Sequence, residues 1–152
     1  MSVIVKLRLK QLDKQLMPLA ALPLDAPPAG WITTMRGALG MTLKTLGKRL
    51  GMTAEGVKRM ELREADGSLS LQLLRKAADA LEMRLVYALV PKDGSLDKLI
   101  ERRALALATD IVMRTHQTMK LEGQAVSEER LKEAITEKTE ELRREIPKQL
   151  WD

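Results

Sequence analysis

Hydrophobic positions recur at helical spacing along nearly the whole chain, and prolines and glycines cut the pattern into segments. In residues 2–22, Val5, Leu9, Leu12, Leu16 and Leu19 form one stripe, while Lys6, Arg8, Lys10 and Lys14 fall on other faces. This predicts a helix that breaks near Met17-Pro18 and Leu22-Pro23, because the residue before a proline disfavours helical backbone. Its lysines read either as a solvated face or as a basic arm for phosphates. Residues 23–30, PLDAPPAG, form a proline-rich linker. Trp31, Met35 and Leu39 then mark a helix over residues 31–40, closed by Gly40, with Trp31 in the core.

The densest pattern lies in residues 41–64, MTLKTLGKRLGMTAEGVKRMELRE. Leu43, Leu46 and Leu50 place a helix that Thr42 can cap and Gly51 can end in the left-handed conformation. Met52 turns back to the core, and Thr53 caps a second helix over residues 54–64 with Val57 and Met60 inward. Two helices joined by three or four residues describe a helix-turn-helix. After a loop over residues 65–69, Ser70 opens a helix running to Leu81, with Leu73, Leu74, Ala77 and Ala78 inward.

Residues 83–90, MRLVYALV, change character. Leu85, Val86, Tyr87 and Val90 suit a strand that Pro91 ends. A lone strand is unstable. The candidates for its partner are the same strand of a second copy, antiparallel about a two-fold axis, or the N-terminal VIVKLRL. From Ser95 a long helix runs toward Glu122, where Gly123 stops it. Ser127 opens the last helix, marked by Leu131, Ile135, Leu142 and Ile146 and ended by Pro147, and Leu150-Trp151 anchors the tail. The expected organisation is an N-terminal helix (1–22), the linker (23–30), a helix-turn-helix domain with its dimerisation strand (31–91), and a helical partner-binding region (95–152).

Composition sharpens this picture. The chain of 152 residues has no Cys, no Phe and 2% aromatics, so its core is built from Leu, Ala, Met, Val and Ile, which favours a mainly α fold. The net charge of +5 admits a polyanionic partner. No apolar run approaches about 18 residues, and charge interrupts the N-terminal stretch, so the expectation is a cytoplasmic protein with no membrane partner. Absence of Cys removes thiolate and disulfide chemistry, and His116 is the single histidine. Neither a catalytic triad, nor a metal cluster, nor a phosphate-cradling glycine loop can be drawn, so no enzyme, metal or cofactor is expected.

A helix lying in a DNA major groove needs outward side chains that reach base edges and flanks that reach phosphates. On the second helix of the pair the outward residues near the N-terminus are Thr53, Ala54, Glu55, Lys58 and Arg59. Lys58 and Arg59 can donate to guanine, and Glu55 can accept from cytosine. Thr42, Lys44 and Lys48 stand where contacts to the DNA backbone are expected.

Residues 31–81 resemble the Xre/phage-repressor helix-turn-helix domain, the lambda-repressor-like fold. The resemblance is carried by Arg36, Leu39, Gly40, Met41, Thr42, Leu46, Gly47, Leu50, Gly51, Met52, Thr53, Val57, Met60 and Glu61. It implies a structural pair between Arg36 and Glu61. The chain departs from the family at Leu43, where glutamine is frequent, and at Ala54 and Gly56, where polar residues are frequent. Over its whole length, through GWITTMRGALGMTLKTLGKRLGMT, LRKAADALEMRLVYALVPKD and PKQLW, the chain is similar to the mobile mystery protein A family. That resemblance implies a DNA-binding antitoxin and repressor of its own operon, paired with a Fic-domain adenylyltransferase toxin.

Antitoxins of Fic enzymes resemble one another in a helix ending (S/T)xxxE(G/N), and residues 118–123, TMKLEG, fit it. Thr118 and Glu122 share a helical face, and Glu122 can pair with a catalytic arginine that would otherwise hold the ATP γ-phosphate. Gly123 ends the helix close to the partner backbone. The Fic signature HxFx(D/E)GNGR is absent from this chain. Two alternatives stay open: an interaction module whose helix-turn-helix does not bind DNA, and a phage-type repressor with no toxin partner.

Overall fold

A computed structural model describes residues 3–123 and 126–152. They form seven α-helices: α1 (Val3–Ala20), α2 (Trp31–Ala38), α3 (Leu43–Leu50), α4 (Ala54–Ala65), α5 (Leu71–Ala80), α6 (Leu96–Leu121) and α7 (Glu128–Glu145). A 3-10 turn, Lys148–Trp151, closes the chain. The protein is mainly α.

The expected strand over residues 83–90 is corrected: among the described residues there is no strand. A strand exists only by virtue of a ladder, and the in-chain candidate, VIVKLRL, is taken up in α1. The amides of residues 84–90 donate no backbone hydrogen bond among the described residues. Val86, Tyr87 and Leu89 are exposed.

The helices gather into two units, residues 24–88 and the described residues of 1–23 and 89–152. In the first, Ile32, Leu46, Val57, Met60, Ala77 and Leu81 are buried together, with Met35, Leu43, Met52 and Leu74 packed around them. Thr42, Thr53 and Ser70 each accept a hydrogen bond from the amide three residues on, starting α3, α4 and α5. Gly51, at φ 68, ends α3. Gly47 is needed for a different reason: a Cβ there would lie 2.5 Å from the Met52 carbonyl, so only glycine lets the turn pack onto α3.

In the second unit α6 and α7 pack along one another over Ala104, Ala108 and Leu142. The alanines, four residues apart, share a face and allow close approach. The chain then turns at Ile146, whose φ of 43 is unusual for a β-branched residue. Pro147 follows, and Leu150 is inserted beneath α6 at 1% exposure. Arg103 fastens this tail, donating to the carbonyls of Leu150 and Asp152 while lying over the Trp151 ring. At the start of α6, Asp93 accepts two bonds from Arg102 at 2.8 and 3.1 Å, which hold its carboxyl below the usual range. The N-terminal helix docks through the carboxylate of Asp13, which accepts from the amides of Leu96 and Asp97 at 2.6 and 3.1 Å. Leu9, Leu16 and Leu19 are half-buried, whereas Val5 and Leu12 of the expected stripe are exposed. No helix among the described residues is long and apolar enough to cross a membrane.

Candidate nucleic-acid interface

Helix α4 is amphipathic, and its two sides divide the work. Val57, Met60 and Glu61 are buried. Glu55, Lys58 and Arg59 are exposed, and with Leu62 they follow the i, i+3, i+4, i+7 spacing of a single helical face. Leu62 is 60% exposed. It escaped the sequence reading, although its place three residues beyond Arg59 was the available signal. Ala54 is half-buried at the first turn.

Thr42 and Thr53 begin α3 and α4 in the same way. Each hydroxyl accepts from a helix amide at 3.0 Å, and each residue is exposed. Thr42 also shares a 2.9 Å hydrogen bond with the Thr45 hydroxyl. Lys44 and Lys48 are exposed one turn apart on α3. Gly56 is half-buried, and a Cβ there would come within 3.3 Å of the Thr53 hydroxyl. Its bareness serves the helix cap.

Arg36 and Glu61 hold α4 from behind. The Arg36 Nε donates to Glu61 Oε1 at 2.5 Å, one terminal nitrogen donates to Oε2 at 3.2 Å, and the other donates to the Met41 carbonyl at 3.0 Å. The hydrogen bond to Glu61 raises the pKa of the guanidinium above its ordinary value, with burial opposing. One side chain thereby ties α2, the segment leading into α3, and α4 together.

A second brace was not foreseen. α2 has no capping side chain of its own, because Gly30 precedes it. The Glu64 carboxylate supplies the cap from the last turns of α4, accepting from the amides of Trp31 and Ile32 at 2.9 and 2.8 Å. Gly30, at φ 87, makes room for it: a Cβ would stand 2.7 Å from Glu64 Oε1. The clue was an uncapped helix start, which requires an anion or acceptor from elsewhere.

The residues of the partner motif lie at the end of α6 in the other unit. Thr118, Glu122 and Gly123 are all exposed. The Thr118 hydroxyl donates to the Arg114 carbonyl at 3.1 Å, and Gly123 ends the helix at φ 81. The Glu122 carboxylate has no ion pair among the described residues, and its neighbour Leu121 is 89% exposed. His116 is half-buried with no partner for Nδ1 among the described residues. No group of three or more His, Cys, Asp or Glu side chains there could hold a metal. No family model, no curated protein and no solved structure matches the chain.

Proposed function

We propose that this chain is a dimeric, sequence-specific DNA-binding repressor and the antitoxin of a Fic-type adenylyltransferase. Residues 31–81 act as an Xre-type helix-turn-helix, with α3 as the supporting helix and α4 in the major groove. The observation that carries this reading is the continuous outward face of α4, Glu55, Lys58, Arg59 and Leu62, on a helix braced from behind by Arg36 and Glu61. Arg59 and Lys58 donate to guanine, Glu55 accepts from cytosine, and Leu62 packs on a thymine methyl. Thr42, Lys44, Lys48 and Thr53 contact phosphates and set the register. Ala54, half-buried, brings backbone rather than side chain to the duplex.

Dimerisation pairs residues 83–90 of two copies as antiparallel strands, satisfying the amides of residues 84–90, which donate no backbone hydrogen bond among the described residues. The operator is then a two-fold site with half-sites about one helical turn apart. In the other unit, Thr118, Glu122 and Gly123 present a carboxylate with no ion pair among the described residues at a helix end, suited to the catalytic arginine of a Fic enzyme.

Fluorescence anisotropy on duplexes from the DNA upstream of the coding sequence tests the reading. Tight, salt-sensitive binding to one two-fold sequence is expected. Arg59→Ala should cost about 1–3 kcal/mol and relax discrimination at one base position. Binding that is indifferent to sequence, or unchanged in Arg59→Ala, overturns the assignment of α4.

A further inference from the structure

The unit built on α6 and α7 carries a second surface that the duplex reading does not use. A cleft of about 580 Å³ lies between α1, α6 and α7. Its floor is apolar: Leu9, Met17, Ile100 and Ile146 contribute to it. Met17 is 58% exposed although it belongs to that floor.

The rim is basic, and the carboxylates in it are already occupied. Asp13 spends both oxygens on the first amides of α6. Asp97 receives Arg143 on both oxygens at 3.2 Å, and Glu140 receives the same guanidinium at 3.0 Å. Lys6, Lys10, Lys14 and Arg144 also line the cleft, and none of their side chains has an ion pair or hydrogen bond among the described residues. The three lysines are spaced four residues apart on α1, so their Cα atoms follow one another at about 6 Å along one side of the opening.

We propose that this cleft binds an acidic amphipathic helix of a protein partner. A helix carrying Asp or Glu at every fourth position presents carboxylates at the same interval as Lys6, Lys10 and Lys14. Apolar residues one step around that helix would cover Met17 and Ile146. The charges speed encounter and set the register, and the floor supplies the apolar contact that holds the complex. A nucleic-acid backbone would engage the lysines but leave the floor open to water, so the floor decides for a protein helix. This surface is independent of α4, which belongs to the other unit.

The test uses the full-length chain and a synthetic acidic helical peptide of about five turns, with Glu along one stripe and Leu beside it. Isothermal titration at low salt should give one site per chain. Lys10→Glu with Lys14→Glu should weaken it by about tenfold or more, and Met17→Ser several-fold. Lys132→Glu, exposed on α7 and outside the cleft, should leave it unchanged. Circular dichroism confirms that each variant keeps its helices. Failure to bind the peptide, or binding unaffected by the α1 charge reversals, overturns the proposal. So does an unaltered affinity in Met17→Ser, which would make the cleft a general polyanion surface rather than a seat for an apolar helix face.

Discussion

Glu61 is 7% exposed, yet both of its carboxylate oxygens are engaged by Arg36. An ionised group held where water barely reaches is tolerable only while its partner is present. Arg36→Met leaves that carboxylate unpaired, and the expected loss is about 3 kcal/mol of stability, read from the denaturant midpoint. Arg36→Lys should recover only part of it, because an ammonium cannot make the planar two-bond contact. A wild-type midpoint in Arg36→Met would mean the pair contributes nothing. Gly47 obeys a different physics at the same scale. Its constraint is steric, since any side chain would press on the Met52 carbonyl and displace the turn that orients α4.

For α4 as an element, the helix cap and the proposed phosphate contact meet at Thr53. Its hydroxyl accepts the Gly56 amide at 3.0 Å and, from its exposed position, still has a proton to give. Thr53→Ala should lower stability by about 1 kcal/mol through loss of the cap. Thr53→Asp separates the two roles. Aspartate caps as well and suits the helix dipole, so thermal stability should hold, while its charge repels phosphate and duplex affinity should drop. Duplex binding equal to wild type in Thr53→Asp would remove Thr53 from the interface. The end of α6 is the complementary case: Thr118, Glu122 and Gly123 are exposed and the Thr118 hydroxyl bonds within its own helix, so a change there should leave the fold intact. Under the proposed antitoxin role, co-expression of Glu122→Gly with a Fic enzyme partner should release AMP transfer that the wild-type chain is expected to suppress. Full suppression by Glu122→Gly would sink the inhibitory role of that motif.

For the molecule as a whole, the proposed dimer makes its own prediction about residues 83–90. Residues 83–90 are the proposed seam: their backbone forms no ladder among the described residues, and Leu89 is 90% exposed. Val86→Pro removes one ladder donor and bars continuous pairing. Light scattering after size exclusion should then give the monomer mass, against a dimer for the wild-type chain. A wild-type monomer at the concentration that binds DNA would exclude the seam. Dimerisation and operator binding should fall together in Val86→Pro, since a two-fold site rewards only a two-fold protein.

Much of the chain could be read from short stretches. Thr42, Thr53, Ser70, Ser95 and Ser127 each cap the helix expected after them, and Gly51 ends α3, because these bonds close within three or four residues. The buried positions Leu46, Val57, Met60 and Ala77 follow from periodicity for the same reason. What local pattern could not supply was the identity of distant partners. Glu64 caps a helix that begins 33 residues earlier, and Asp13 caps one that begins 83 residues later. The hydrophobic alternation of residues 83–90 suggested a strand, yet a strand is a relation between two backbones and the chain provides only one. The lysines of α1 told the same story: their spacing was visible, but only the packing of α1 beside α6 and α7 made them the rim of a cleft. Backbone preference and periodicity act over a few residues, so sequence determined the helices and those caps that close within a single turn. Which surfaces those helices share depends on groups that meet only after the chain has folded, and that the tertiary structure alone decided.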